Sequence, residues 1–193
     1  MHGVREELIE AQASSIGIPL IKVIVYEGSN VEYENRMSET LQGVKSEGIE
    51  IVAFGDIFLE DLRTYRENQM KQIGMECLFP LWKKNTSDLA SQFLREGFKT
   101  IICCINDIHL HETWCGRIMD EKFIHDLPMG VDPCGENGEF HSFCYEGPVF
   151  KKPIPIRTGE KIYREFDLKP VDSSGQEPVK TNGFWFIDLI LNS

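Results

Sequence analysis

The sequence predicts an α/β protein: a doubly wound, mostly parallel sheet followed by a small C-terminal α+β region. Three observations predict it. Amphipathic stretches ending in glycine alternate with short apolar runs through the first half of the chain. The connections between them are short, as in βαβ units. Near Asp107 the alternation stops, and the remaining pattern is that of paired, antiparallel strands.

The elements follow in order. "VREELIEAQASSIG" places Leu8, Ile9, Ala13 and Ile16 on one helical stripe and stops at Gly17. "IPLIKVIVY" reads as a buried strand, and "VEYENRMSETLQGVKSEG" as a second helix with a glycine end. Ile49 to Phe54 is the next strand, closed by Gly55 and Asp56, and "LEDLRTYRENQMKQIG" is the third helix. "MECLFPLW" is a short extended piece. "TSDLASQFLREG" carries Thr86 and Ser87 as capping residues for a helix. "FKTIICCIN" is a buried strand whose Cys103 and Cys104 point to opposite faces. "ETWCGRIMDEKFIHDL" reads as helical, and "PIPIRTGEKIYREFDLKP" as two short strands around a Thr158-Gly159 turn. "VDSSGQEPVKTNG" reads as a surface loop and "FWFIDLIL" as a final strand. In parallel sheets ligands sit beyond the carboxyl ends of strands, where Gly55-Asp56 and Asn106-Asp107 fall.

Composition narrows the function. At 193 residues, 41% hydrophobic and 26% charged, the chain has a real core and suits one domain with a small appendage. A net charge of -11 argues against a nucleic-acid partner, which requires a basic face. No apolar run reaches the ~18 residues of a membrane span, and "MHGVREELIE" lacks a signal-peptide core, so a cytoplasmic protein with free thiols is expected. Its six cysteines form no CxxC pair. His109, His111 and Cys115 in "HLHETWC" are too weak a pattern for a zinc site, and no metal ligand is assigned. Neither GxGxxG nor a P-loop occurs.

The densest chemistry lies in "VDPCGENGEFHSFCYEGPVF", Val131 to Phe150. Glu136 and Glu139 can position a nucleophile or accept its proton, or sit in a solvated turn. Asn137, between Gly135 and Gly138, can hydrogen-bond a ligand or adopt a left-handed turn. His141 is an acid–base group near neutral pH or a strand residue with a satisfied ring. Asp56 is either a cleft residue or a helix cap. His2 and Gly3 lie at a helix start, which suits phosphate or ribose, or in a frayed terminus. Pro80, Leu81 and Trp82 line a pocket or belong to the core.

"FGDIFLEDLRTYRE", "GMECLFPLW", "EGFKTIICCIND" and "VDPCGENGEFHSFCYEGPVF", in that order and spacing, resemble the diphthine–ammonia ligase family. These are N-type ATP pyrophosphatases of the adenine nucleotide alpha-hydrolase superfamily. The likeness runs from about Met1 to Lys152. It implies a HUP-type sheet, with residues 1–107 forming part of the ATP-pyrophosphatase domain and 108–193 a substrate-binding region. It implies ATP, accompanied by Mg2+, cleaved to AMP and pyrophosphate. A carboxylate on a small molecule or a protein is thereby activated as an acyl-adenylate and captured by ammonia. Glu136, Glu139 and His141 become catalytic positions, Gly135, Asn137, Gly138 and Trp82 substrate positions, and His2, Gly3, Gly55 and Asp56 nucleotide positions. A homo-oligomer is compatible with this.

Two departures from the family pattern stand out. Its first strand and SGGKDS-type phosphate loop are expected to be absent from this chain, since the match begins at Met1. The family's GEGGE motif, followed by an aromatic and an acid, reads here as Gly135-Glu136-Asn137-Gly138-Glu139-Phe140-His141. That variant resembles a bacterial branch, with a cobalamin-type acceptor as one alternative. A non-catalytic nucleotide- or metabolite-binding remnant is the other. A tRNA-modifying relative fits poorly with the net charge of -11.

Overall fold

A computed structural model describes residues 3–25, 30–167 and 181–192. Within them the chain forms α1 (Glu6–Ile16), α2 (Asn30–Ser46), β1 (Ile51–Ala53), α3 (Glu60–Ile73), β2 (Glu76–Leu78), α4 (Thr86–Arg95), β3 (Lys99–Asn106), a 3-10 turn (Glu112–Trp114), α5 (Glu121–Asp126), β4 (Phe140–Glu146), β5 (Ile156–Asp167) and β6 (Thr181–Leu191). The chain divides into two compact units, Leu20–Asn85 and the remainder, Met1–Pro19 with Thr86–Ser193. Among the described residues no helix is long and apolar enough to cross a membrane.

The unit of Leu20–Asn85 holds a single βαβ element. β1 pairs with β2 in parallel, Val52 opposite Cys77, with α3 as the crossover. Gly74 ends α3 at φ +67, a left-handed turn that suits glycine. The buried strand expected from Ile49 to Phe54 is shorter than its apolar run, and Ile51 and Ala53 face solvent. "IPLIKVIVY" is not a strand over its described residues, 18–25. Ile18, Leu20, Ile21, Ile24 and Val25 are exposed there and form no ladder. Apolar character alone does not make a strand when no neighbour is available to take its backbone hydrogen bonds.

The second unit is built on a four-stranded sheet of order β4-β3-β6-β5 in which every pairing is antiparallel. The mostly parallel sheet expected from the sequence is therefore limited to β1 and β2. After β3 the chain passes through the 3-10 turn, α5 and the glycine-bent loop, and β4 then comes back beside β3 in the antiparallel sense, Ile101 opposite Phe143. The expected division after Asp107 falls between β3 and the three strands that complete its sheet.

β3 is buried along its length from Thr100 to Asn106. It packs into a core with Leu8, Ala90, Leu110, Phe123, Phe140, Phe143, Ile187 and Leu189. Phe123 is fully buried and meets Trp114 and Phe140 edge-on, at ring-centroid distances of 5.2 and 5.5 Å. α1 is fixed at both ends. Arg5 grips Asp188 through two 2.8 Å hydrogen bonds, and the Gln12 amide donates to the Cys144 carbonyl at 2.7 Å.

Two further readings are corrected here. The helix expected over "ETWCGRIMDEKFIHDL" breaks into the 3-10 turn, an extended piece bridged from Ile118 to Ile101, and α5. Gly116 turns the chain at φ +92, against Ile187, and Asp120 then caps α5 by accepting from the Phe123 N–H at 2.7 Å. The two short strands expected around Thr158-Gly159 are one strand, β5, with a bulge between Thr158 and Lys161. Gly159 sits in the bulge against Asp188, where a Cβ would lie 3.0 Å from its carboxylate. The loop expected at "VDSSGQEPVKTNG" lies almost wholly outside the described residues.

All six cysteines are free thiols. Burial pushes Cys103 and Cys104 up to about 12, and Cys115 to about 11. Truncating the aromatic centre tests the packing account. Phe123→Ala should cost about 3–5 kcal/mol in denaturant unfolding, and a loss within experimental error would contradict it.

Candidate functional site

The loop from Asp132 to Glu139 is organised by one carboxylate. Glu139 is 1% exposed. Its Oε1 accepts from the Asp132 N–H at 2.9 Å and from the Asn137 side-chain amide at 3.0 Å. Its Oε2 accepts from the Asn137 N–H at 3.0 Å. Burial pushes the carboxyl up, but the Asn137 amide and the backbone donors outweigh it and hold Glu139 below the usual 4.5.

Asp132 completes the turn from the other side. Its Oδ2 accepts from the Cys134 N–H at 3.1 Å and the Glu136 N–H at 3.0 Å. The Asp132 and Gly135 carbonyls accept from Gly135 and Gly138 in turn, at 2.9 and 3.0 Å. Glycines are required where the chain reverses. Gly135 has φ +69, and a Cβ there would lie 2.7 Å from the Phe140 carbonyl, while Gly138 has φ +82 with open space above it.

The loop is tied to the carboxyl end of β3. The Asn106 N–H donates to the Glu139 carbonyl at 2.9 Å, and the Asn106 side chain turns back to accept from the Ile108 N–H at 3.1 Å. Beside it, Asp107 accepts from the Tyr163 hydroxyl at 2.7 Å, over Gly183, where any side chain would collide with both. β4 then starts at Phe140, which goes into the core. His141 is half-buried and stands opposite Cys104 across the ladder. Glu136 is half-buried and Asn137 exposed.

The structure thus brings Gly135, Glu136, Asn137, Gly138, Glu139 and His141 into one turn and strand start. Of the two conformations open to Asn137, the left-handed one is not adopted. Lys83 alone among described non-glycine residues has positive φ. The expected role of Glu139 changes as well, because the loop's own donors occupy both of its oxygens.

The remaining expected positions lie elsewhere. His2 is outside the described residues. Gly3, in the same unit as the loop, has φ +64 and packs its Cα against the Phe186 ring. In the unit of Leu20–Asn85, Gly55 is exposed with open space above its Cα. Asp56 does not cap α3, which is preceded by Leu59. It is buried and paired with Arg66 at 2.6 Å. Arg66 in turn lies 4.7 Å over Phe54, and Arg63 lies over Phe79 and Trp82 at 4.8 and 4.6 Å. Trp82 is half-buried in this alternation of guanidinium and ring. Around "HLHETWC", His111 Nδ1 accepts from the Thr113 N–H, and the Cys115 thiol turns inward to the Cys103 and Trp185 carbonyls.

Sequence reasoning placed Asn106-Asp107 at a strand end but passed over Asp132 and Tyr163, the partner of Asp107. Asp132 had a visible signal in Asp-Pro, a dipeptide that initiates turns. Tyr163 had none, since its partner lies on another strand.

Three variants test the loop account. Because the folded pKa of Glu139 is lowered, its stabilisation is present above the unfolded value near 4.5 and is lost as pH falls through the folded one. Glu139→Gln should therefore be less stable than the parent by about 2 kcal/mol at neutral pH. The gap should narrow in acid, and a gap that is flat with pH would refute the assignment. Gly135→Ala should destabilise markedly. Gly138→Asn, in open space but at φ +82, should cost less, about 1 kcal/mol. Equal losses would contradict the steric argument.

Comparison with known proteins fits this order of parts. The sequence model for the diphthamide synthase N-terminal domain matches residues 1–77, and that for the diphthamide synthase C-terminal domain matches 85–169. A zebrafish (Danio rerio) protein named diphthine--ammonia ligase is 28% identical over 181 residues, covering 85% of this chain and 71% of the relative. The mouse (Mus musculus) and rat (Rattus norvegicus) proteins of that name are 32% and 31% identical, over 73% of this chain and 54% of theirs. The chain thus spans about half the length of these mammalian relatives.

Proposed function

The chain belongs to the diphthamide synthase family, and from that premise we propose that it serves an ATP-dependent ligase reaction in which a carboxylate becomes an amide at the expense of ammonia. ATP, with Mg2+ on its phosphates, supplies the activating group, turning the carboxylate oxygen into one that leaves with AMP as pyrophosphate is released. Attack by ammonia on the acyl carbon displaces AMP and leaves one proton to be removed from nitrogen. That proton needs a base near the acyl carbon.

The observation that carries this reading is the buried Glu139 carboxylate holding the glycine loop at the end of β3. Its role is positioning, because its oxygens already accept three hydrogen bonds from the loop. Glu136 and His141, both half-buried at the loop and the strand start, are the groups we assign to the proton and to the ammonium-like nucleophile. Gly138, with open space above it, lets the backbone approach the acceptor beside the exposed Asn137, while Gly135 sets the turn against Phe140. Within the unit of Leu20–Asn85, Trp82 under Arg63 offers an apolar surface and stays a substrate position only by the family resemblance.

On the nucleotide side, the parallel β1–α3–β2 crossover is compatible with the HUP-type sheet that the family implies. Gly55 follows β1 with free space above its Cα, which suits close approach of a phosphate to the backbone. Asp56, locked to Arg66, shapes that connection rather than contacting ligand.

The test is product analysis with the full chain, ATP, ammonium and a panel of carboxylate acceptors. AMP and pyrophosphate should form in step with the amide, and only when an acceptor is present. Release of ADP and phosphate, or an absence of acceptor-dependent AMP, would overturn the reading. His141→Ala should slow amide formation by roughly 10²-fold or more while leaving acceptor binding in place, and unchanged turnover would move the base elsewhere.

A further inference from the structure

The β5 edge of the four-stranded sheet carries a pattern that fits itself. β5 is the terminal strand of the order β4-β3-β6-β5 and spans Ile156–Asp167. From Glu160 to Glu165 every residue is exposed, with Ile162 and Tyr163 at 44% and 40%. An exposed strand edge offers unpaired backbone groups to another chain, and proteins blunt such edges with proline, lysine or bulges. Prolines lie only outside β5 in the sequence, Pro153 and Pro155 before it and Pro170 after it. The Lys161 ammonium is engaged by the Glu112 carbonyl at 3.1 Å. The bulge between Thr158 and Lys161 ends the regular edge on one side only.

Two charges frame the remaining edge, and neither has an ion pair among the described residues. Glu160 lies two positions before Ile162 and Arg164 two positions after it. Register places Ile162 opposite Phe186 and Arg164 opposite Phe184, on one face of the sheet. The bulge brings the Gly159-Glu160 pair opposite Asp188, on that same face. An antiparallel pairing of two identical strands has its two-fold axis through one residue, and residues equidistant from that axis face each other. With the axis through Ile162, each Glu160 meets the copy's Arg164, and Ile162 meets itself. A strand built to repel its copy would carry like charges at these two positions.

We propose that β5 is a self-association edge, joining a second copy of this chain in an antiparallel pairing centred on Ile162. The pairing covers residues 160–164 and makes the two four-stranded sheets one continuous sheet of eight. It is a short interface with exposed charge pairs, so the dimer is concentration-dependent and weakens with salt. It does not depend on the ligase reading.

Sedimentation velocity of the full chain across a concentration and salt series tests this. The parent should show a monomer–dimer equilibrium by about 100 µM, with less dimer at high salt. Arg164→Glu or Glu160→Arg alone should raise the dissociation constant by about tenfold. The double variant Glu160→Arg/Arg164→Glu should return it to about the parental value, since the exchanged charges again meet their opposites. Both substitutions are at exposed positions, and circular dichroism checks that each of the three variants is folded. A parent that stays monomeric, or a double variant as dissociated as the single ones, would overturn the proposal.

Discussion

The burial of one negative charge dictates the shape of the candidate site. A carboxylate taken out of water must be hydrogen-bonded or neutralised, and Glu139 is satisfied only if the chain from Asp132 folds around it. That requirement fixes the rest. Asp132 and Asn137 must present N–H groups inward, so the backbone must reverse between them, so Gly135 and Gly138 must take positive φ. The carbonyl of Glu139 then closes on Asn106 and sets where β4 begins. Loop, strand start and sheet end thus form one arrangement, and Glu136 and His141 inherit their positions from it.

The other unit stabilises polar groups by a different device. Asp56 is buried against Arg66, and Arg66 and Arg63 lie flat on Phe54, Phe79 and Trp82. Planar guanidinium groups can pair with a carboxylate at the edge while stacking on rings with their faces. The connection after β1 is thereby held without a large core, which matters where β1 and β2 are three residues each.

Much of this was legible in the residues. Helices with apolar stripes and glycine stops, α1 and α3 above all, fell where periodicity put them, because local rules govern such segments. The Val131 to Phe150 stretch was recognisable as the chemically dense part. Strand partners were not legible. Apolar runs at "IPLIKVIVY" and "FKTIICCIN" look alike, yet Ile18, Leu20, Ile21, Ile24 and Val25 of the first are exposed and lie in no strand, while the second is buried from Thr100 to Asn106. The direction of pairing was not legible either: the connection from β3 to β4 holds a 3-10 turn and α5 and is long enough for either sense, so the residues between the strands did not reveal the antiparallel ladder. The bulge at Gly159 imitated a turn for the same reason that a glycine there is needed: both ask for close approach of the chain. In the site, the residue types were visible but not which oxygens would be occupied. Glu139 and Glu136 look equivalent in sequence, and only three-dimensional closure separates the buried holder from the half-exposed group.

The thiols of Cys103, Cys104 and Cys115 have a bearing on how the sheet behaves over time. Thiolates do the reacting, and with ionisation pushed to about 12, 12 and 11 these sulfurs are almost wholly protonated and shielded while the strands are closed. Alkylation or peroxide damage at β3 must then wait for the strand to come away from its neighbours. The protein carries within its centre a built-in record of its own transient openings, written in the slow modification of three sulfurs.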